Sequence, residues 1–135
     1  MSIKLNYDHE LIYKTFIDSD IKNWKEEIEI INMEMIFYKN LIQKHLSEYA
    51  TWGQFNYKSL LQGIVDIQYY NEISQRNFIK YNNVIHGIAE CQDLQCESYF
   101  LNVHSKLKQV IEKHFSTSKQ FKKTIISYLK TRYNY

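Results

Sequence analysis

WKEEIEIINMEMIFYKNLIQKHLSEY, residues 24–49, is the stretch that decides how this chain is built. Alternating steps of four and three through it select Trp24, Ile28, Ile31, Met35, Tyr38, Ile42, His45 and Tyr49. That spacing lines side chains along one stripe of a helix, because a helical turn takes about 3.6 residues. A half-buried strand would need period two, which no long segment keeps. A second apolar line, Ile30, Phe37 and Leu41, widens the stripe and predicts a helix packed against two partners rather than one.

The same rule runs outward through two more segments. From Tyr57 to Gln92 it picks Tyr57, Leu60, Ile64, Ile67, Asn71, Ser74, Phe78, Tyr81, Ile85 and Ile88, with a polar middle. From Cys96 to Arg132 it picks Phe100, His104, Leu107, Ile111, His114, Ser118, Phe121, Ile125 and Tyr128, with histidine at two positions. The chain has no proline and three glycines, which suits long helices joined by short turns, since interior proline costs a helix about 3 kcal/mol and glycine about 1. Turn signals are confined to Thr51–Asn56, with Gly53 as a C-terminal stop, and to the stretch around Asp93. The fold expected is all-α: one domain over 1–135, an antiparallel three-helix bundle with helices over about 20–50, 57–92 and 96–132. Asp18, Ser19 and Asp20 read as caps for the first helix. Residues 1–19 then form an ordered arm or a short helix capped by Asp8, a fourth element closing over the bundle.

Nothing in the arm reads as a signal peptide, and no stretch reaches the roughly 18 apolar residues of a membrane span. The expected location is the cytoplasm, with no membrane partner. Charge is nearly balanced at net +2 but unevenly spread, with residues 1–55 at −3, 56–105 at −2 and 106–135 at +7. Lysines interleaved with aromatics in the last third could contact phosphate. A basic third helix lying beside an acidic first helix, with Glu26, Glu27 and Glu29, accounts for the same charges inside the bundle. Nucleic acid is therefore the alternative, not the expected partner.

The ladder of facing residues locates the polar seam positions. With hairpins folded near Gly53 and Asp93, facing numbers sum to about 105 and about 186. Glu34, Asn71, Glu72, Ser74, Glu112 and His114 then fall at one mid-bundle level. Carboxylates and imidazoles at one level could hold a divalent metal or a small ligand. The chain has no Glu-x-x-His, the signature of di-iron bundles, and only His86-x3-Glu90 has comparable spacing. A buried polar layer that fixes helix register is the expected role, so no cofactor and no metal is assigned.

Cys91 and Cys96 match neither a CxxC redox motif nor a zinc site, and two reduced thiols at a helix hairpin are expected, with a reversible disulfide as the alternative. His45 and His104 have no charged partner on the ladder, and His9 lies in the arm. No nucleophile–base pair or phosphate-binding glycine loop is present in the sequence, so no enzymatic activity is expected. Twelve tyrosines and two tryptophans are an excess. Tyr69, Tyr70, Tyr99, Tyr133 and Tyr135 fall off the seams, where they would suit an aromatic-lined interface.

Trp24-x3-Ile28-x2-Ile31-x2-Glu34-x2-Phe37-x3-Leu41, followed by His104-x2-Leu107 and a lysine- and aromatic-rich last helix, resembles small all-helical proteins of Bacteroidota. The resemblance implies an antiparallel bundle of unassigned role and transfers no catalytic residue. The functional expectation is association with a helical protein or with a second copy of the chain.

Overall fold

The structure, a computed structural model, describes the backbone of residues 2–48 and 54–133 and the side chains of residues 15–44 and 57–130. Within those limits the chain forms helix α1 (Ser2–Glu48), helix α2 (Gln54–Ile85), a short 3-10 turn (His86–Glu90) and helix α3 (Leu94–Tyr133). The all-α three-helix bundle is the observed fold, with α2 antiparallel to both neighbours. The expected stop at Gly53 lies outside the described residues, as do the side chains of His9, His45, Tyr49, Tyr133 and Tyr135.

The amino-terminal arm is not a fourth element. Helix α1 runs unbroken from Ser2, through the supposed caps Asp18, Ser19 and Asp20. The reason lies in the seam, which continues backward in phase from Trp24 to Ile21 and to the buried Ile17. A helix whose apolar stripe still has a surface to cover gains more by continuing than by ending at a cap. Asp20, freed from capping, turns its carboxylate toward α3 instead.

A true cap occurs at Asp93. Its side-chain oxygen accepts the Cys96 backbone N–H at 2.8 Å, the bond an N-cap makes to the third helical residue. Before it, the 3-10 turn closes with the Cys91 N–H on the Ile88 carbonyl, and Cys91 adopts an extended conformation. That reversal brings the Cys91 and Cys96 Cα atoms to 5.5 Å and joins the two sulfurs, so the expected pair of free thiols is corrected to a disulfide across the α2–α3 turn.

Every seam residue whose side chain is described is buried or half-buried. The core they form has two apolar halves. One gathers Ile17, Trp24, Ile28, Phe78, Tyr81, Ile85 and Ile111 near the disulfide, and the other gathers Ile31, Met35, Ile42, Leu60, Ile64, Ile67 and Ile125. Between them sit buried Asn71, Ser74, His114 and Ser118, while Phe115 touches both halves. At Gly63 helix α2 comes so close to the Phe121 ring that a methyl group there would collide with it. Among the described residues no helix is long and apolar enough to cross a membrane.

The second apolar line of α1 is the other correction. Helix α1 does pack against both α2 and α3, but of this line only Leu41 is half-buried, whereas Ile30 and Phe37, with Met33 between them, are exposed to solvent by 42%, 60% and 64%. They lie roughly half a turn from the buried seam, given about 100° per residue.

The disulfide closes a loop of only a few residues, for which chain entropy gives about 2 kcal/mol. Reduction should lower the thermal midpoint by several degrees, measured by circular dichroism with and without a phosphine reductant. A midpoint that reductant leaves in place would show the hairpin to be held by its packing and the Asp93 cap alone.

Candidate functional site

Two polar constellations occupy the buried seams, and each draws on all three helices. The first is the mid-bundle layer. The Asn71 amide donates to the backbone carbonyl of Ile28 on α1 at 2.9 Å. Its carbonyl oxygen is thereby left to accept, and the His114 Nε2–H donates to it at 2.9 Å. Ser118 in turn donates its hydroxyl to the His114 carbonyl at 2.9 Å. One asparagine on α2 thus ties α1 to α3 at a fixed level.

Not all of the expected layer is there. Asn71, Ser74 and His114 are buried together, but Glu72 and Glu112 face solvent. Each follows a seam residue by one position, which rotates it about 100° away from the core. Glu72 pairs with Arg76 one turn along its own helix at 2.6 Å. Glu34 does not meet Asn71 either. It reaches across to Lys122 on α3 at 2.7 Å, beside a groove of about 470 Å³ between α1 and α3 that Ile31, Phe115 and Lys119 also line. Acidic α1 does meet basic α3, but with ion pairs made by Glu34 and Asp20, and of the expected Glu26, Glu27 and Glu29 it is the Glu27 charge that acts on Lys122. Among the described residues no three His, Cys, Asp or Glu side chains come together as a metal ion would require.

The second constellation escaped the sequence. His104, expected to have no charged partner, donates Nε2–H to the Asp20 carboxylate at 2.6 Å. Its Nδ1 is hydrogen-bonded to the Tyr81 hydroxyl. A neutral imidazole satisfies both, accepting from the phenol at one nitrogen and donating to the carboxylate from the other. Trp24 stacks over the ring at a centroid distance of 5.1 Å, and Lys108 stands 3.7 Å from the same carboxylate oxygen. Tyr81 was legible from the ladder as the residue facing His104. Asp20 was not, because its place before an apolar run made it look like a cap.

Burial sets the proton chemistry of these groups. It pushes the Tyr81 phenol well above the ordinary tyrosine range, and the nearby Asp20 charge adds to the effect. Burial also lowers His114, whose charged form has no carboxylate to meet it in the layer. Lys122 is raised, first by its hydrogen bond to Glu34. An aspartate–histidine–tyrosine chain has the order of a general-base relay. Here Tyr81 and His104 are both buried, and their polar side-chain atoms bond to each other and to Asp20.

No family model matches this chain, and no curated protein or solved structure matches it either.

Removing the carboxylate in Asp20→Ala strands a buried N–H and should cost about 1–3 kcal/mol in urea unfolding. Asp20→Asn should recover a large part of that loss, because its amide oxygen still accepts; equal losses in both variants would mean the aspartate acts by charge alone. A second expectation concerns pH. The folded His114 resists a proton that the unfolded imidazole, at about 6.5, takes up. Its contribution to stability is thus complete above that pH and is lost as pH falls through the folded value. Melting followed from pH 7.5 to 5 should show His114→Gln losing less stability than the parent over that interval; parallel slopes would clear His114 of the pH dependence.

Proposed function

We propose that this chain is a non-enzymatic interaction protein, a bundle that presents the outer face of α1 to a helical surface on another protein or on a second copy of itself. The observation that carries this reading is the stripe of Ile30, Met33 and Phe37. Three large apolar side chains, each more than two-fifths exposed, follow helical spacing on the side of α1 turned away from its own core. A bundle that already has a complete seam gains nothing for its own fold from a second one. Contiguous exposed apolar residues of this kind mark association surfaces. Exposed Tyr69, Tyr70 and Tyr99 on α2 and α3 add aromatic surface elsewhere on the molecule. The two buried constellations support the same reading from the other side, since their polar atoms are committed to holding helices together. The cytoplasm is the proposed location, with the Cys91–Cys96 bond acting there as a reversible clamp rather than a permanent staple.

Methionine oxidation tests the face whatever covers it. Met33 is 64% exposed and Met35, two residues on, 1%. In dilute purified protein, peroxide should oxidise Met33 fast and Met35 slowly, read by mass spectrometry. In the undiluted extract of the cells that make the protein, Met33 should be shielded several-fold relative to the dilute chain. Equal Met33 rates in both conditions would show the face to be bare.

A further inference from the structure

The outer face of α1 carries a charge pattern that names its occupant. Its residues Glu26, Ile30, Met33, Phe37, Asn40 and Lys44 follow steps of four, three, four, three and four, and all six are exposed. This is a coiled-coil seam with an acid at one end, apolar residues in the middle and a base at the other end. From it we infer that α1 pairs with α1 of a second copy, antiparallel, about a two-fold axis passing near position 35. The inference rests on the outer-face reading and commits it to one partner.

The register follows from the residues. A two-fold axis at that point sets Met33 against the second copy's Phe37, Ile30 against its Asn40, and Glu26 against its Lys44. Every seam position meets a seam position, and the two charged positions meet with opposite sign at both ends of the contact. A parallel pair would oppose Glu26 to Glu26 and Lys44 to Lys44, two repulsions in place of two attractions. Sliding the antiparallel pair by one heptad toward the amino terminus would press Glu26 onto Phe37. Sliding it the other way would press Lys44 onto Met33. Only the first register buries apolar against apolar while neutralising both ends. Among the described residues this face is left open, because it lies on the opposite side of α1 from the seam that α2 and α3 cover.

Sedimentation velocity on the purified full chain, at micromolar concentration and low ionic strength, gives the test. The chain is expected as a dimer. Lys44→Glu and Glu26→Lys each turn two attractions into repulsions and should weaken it about tenfold, and the double reversal Glu26→Lys/Lys44→Glu should return the affinity to within about twofold of the parent. The substituted side chains are exposed, so circular dichroism should be unchanged in all of them. A photoreactive phenylalanine at position 37 should cross-link to the second copy within one turn of Met33. Adducts at position 37 itself, or a dimer indifferent to the single reversals, would overturn the antiparallel register. A strictly monomeric chain would overturn the second copy as occupant. If Met33 were still shielded in cell extract, the outer face would serve a different protein; if it were bare, the outer-face reading would fall as well.

Discussion

Axial register is the constraint on which the rest of this molecule depends, and Asn71 sets it. Apolar seams make helices adhere but leave sliding cheap, since one isoleucine fits much as another does one heptad along. The Asn71 side chain removes that freedom by donating to the Ile28 carbonyl on one side and accepting from His114 on the other. Slipping either neighbour would leave a buried amide and a buried imidazole unpaired in an apolar surround, at a cost of about 1–3 kcal/mol for each lost partner. Buried polar groups of this type rarely add much net stability. Their value is that the alternatives are worse.

Once register is fixed there, the other polar contacts follow by equal steps along the helices. The same antiparallel alignment that opposes Asn71 to His114 opposes Tyr81 to His104, and α1, running parallel to α3, delivers Asp20 to the far side of the imidazole. In the other direction it delivers Glu34 to Lys122. The two halves of the core therefore carry different marks. The half near the disulfide holds buried histidine, tyrosine and tryptophan closed by a half-buried aspartate, and the half toward the α1–α2 connection is packed by isoleucine, leucine and methionine around the close approach at Gly63.

How much of this was legible can be told residue by residue. The seams were, because period and burial have the same cause: a residue at a seam position is carried to the core by helix geometry alone. The mid-bundle level was legible from hairpin arithmetic, which gives height along the axis but says little about rotation around it, and so Glu72 and Glu112 were swept in beside Asn71 and His114. The continuity of α1 was hidden, since Asp18, Ser19 and Asp20 have the composition of a cap. What overrides that local preference is the seam carried back through Ile21 to the buried Ile17, and Asp20, relieved of capping, is then met by His104, 84 residues away. The line through Ile30 and Phe37 was visible as apolar but not as outward, because hydrophobicity carries no sign for inside or outside when both faces of a helix have it.

A helix with two apolar faces has two ways to dock, and a half-rotation of α1 about its own axis would offer Ile30, Met33 and Phe37 to α2 and α3 in place of Ile28, Ile31 and Met35. Folding must choose between these faces before any partner arrives. The inner seam is apolar without interruption from Ile21 to Ile42, whereas the outer one is broken by Glu26, Asn40 and Lys44. Burying the wrong face would drag two charges and an amide into an apolar core. The charges on the outer face thus act first as a guard against inverted packing, keeping the misrotated bundle from competing with the native one.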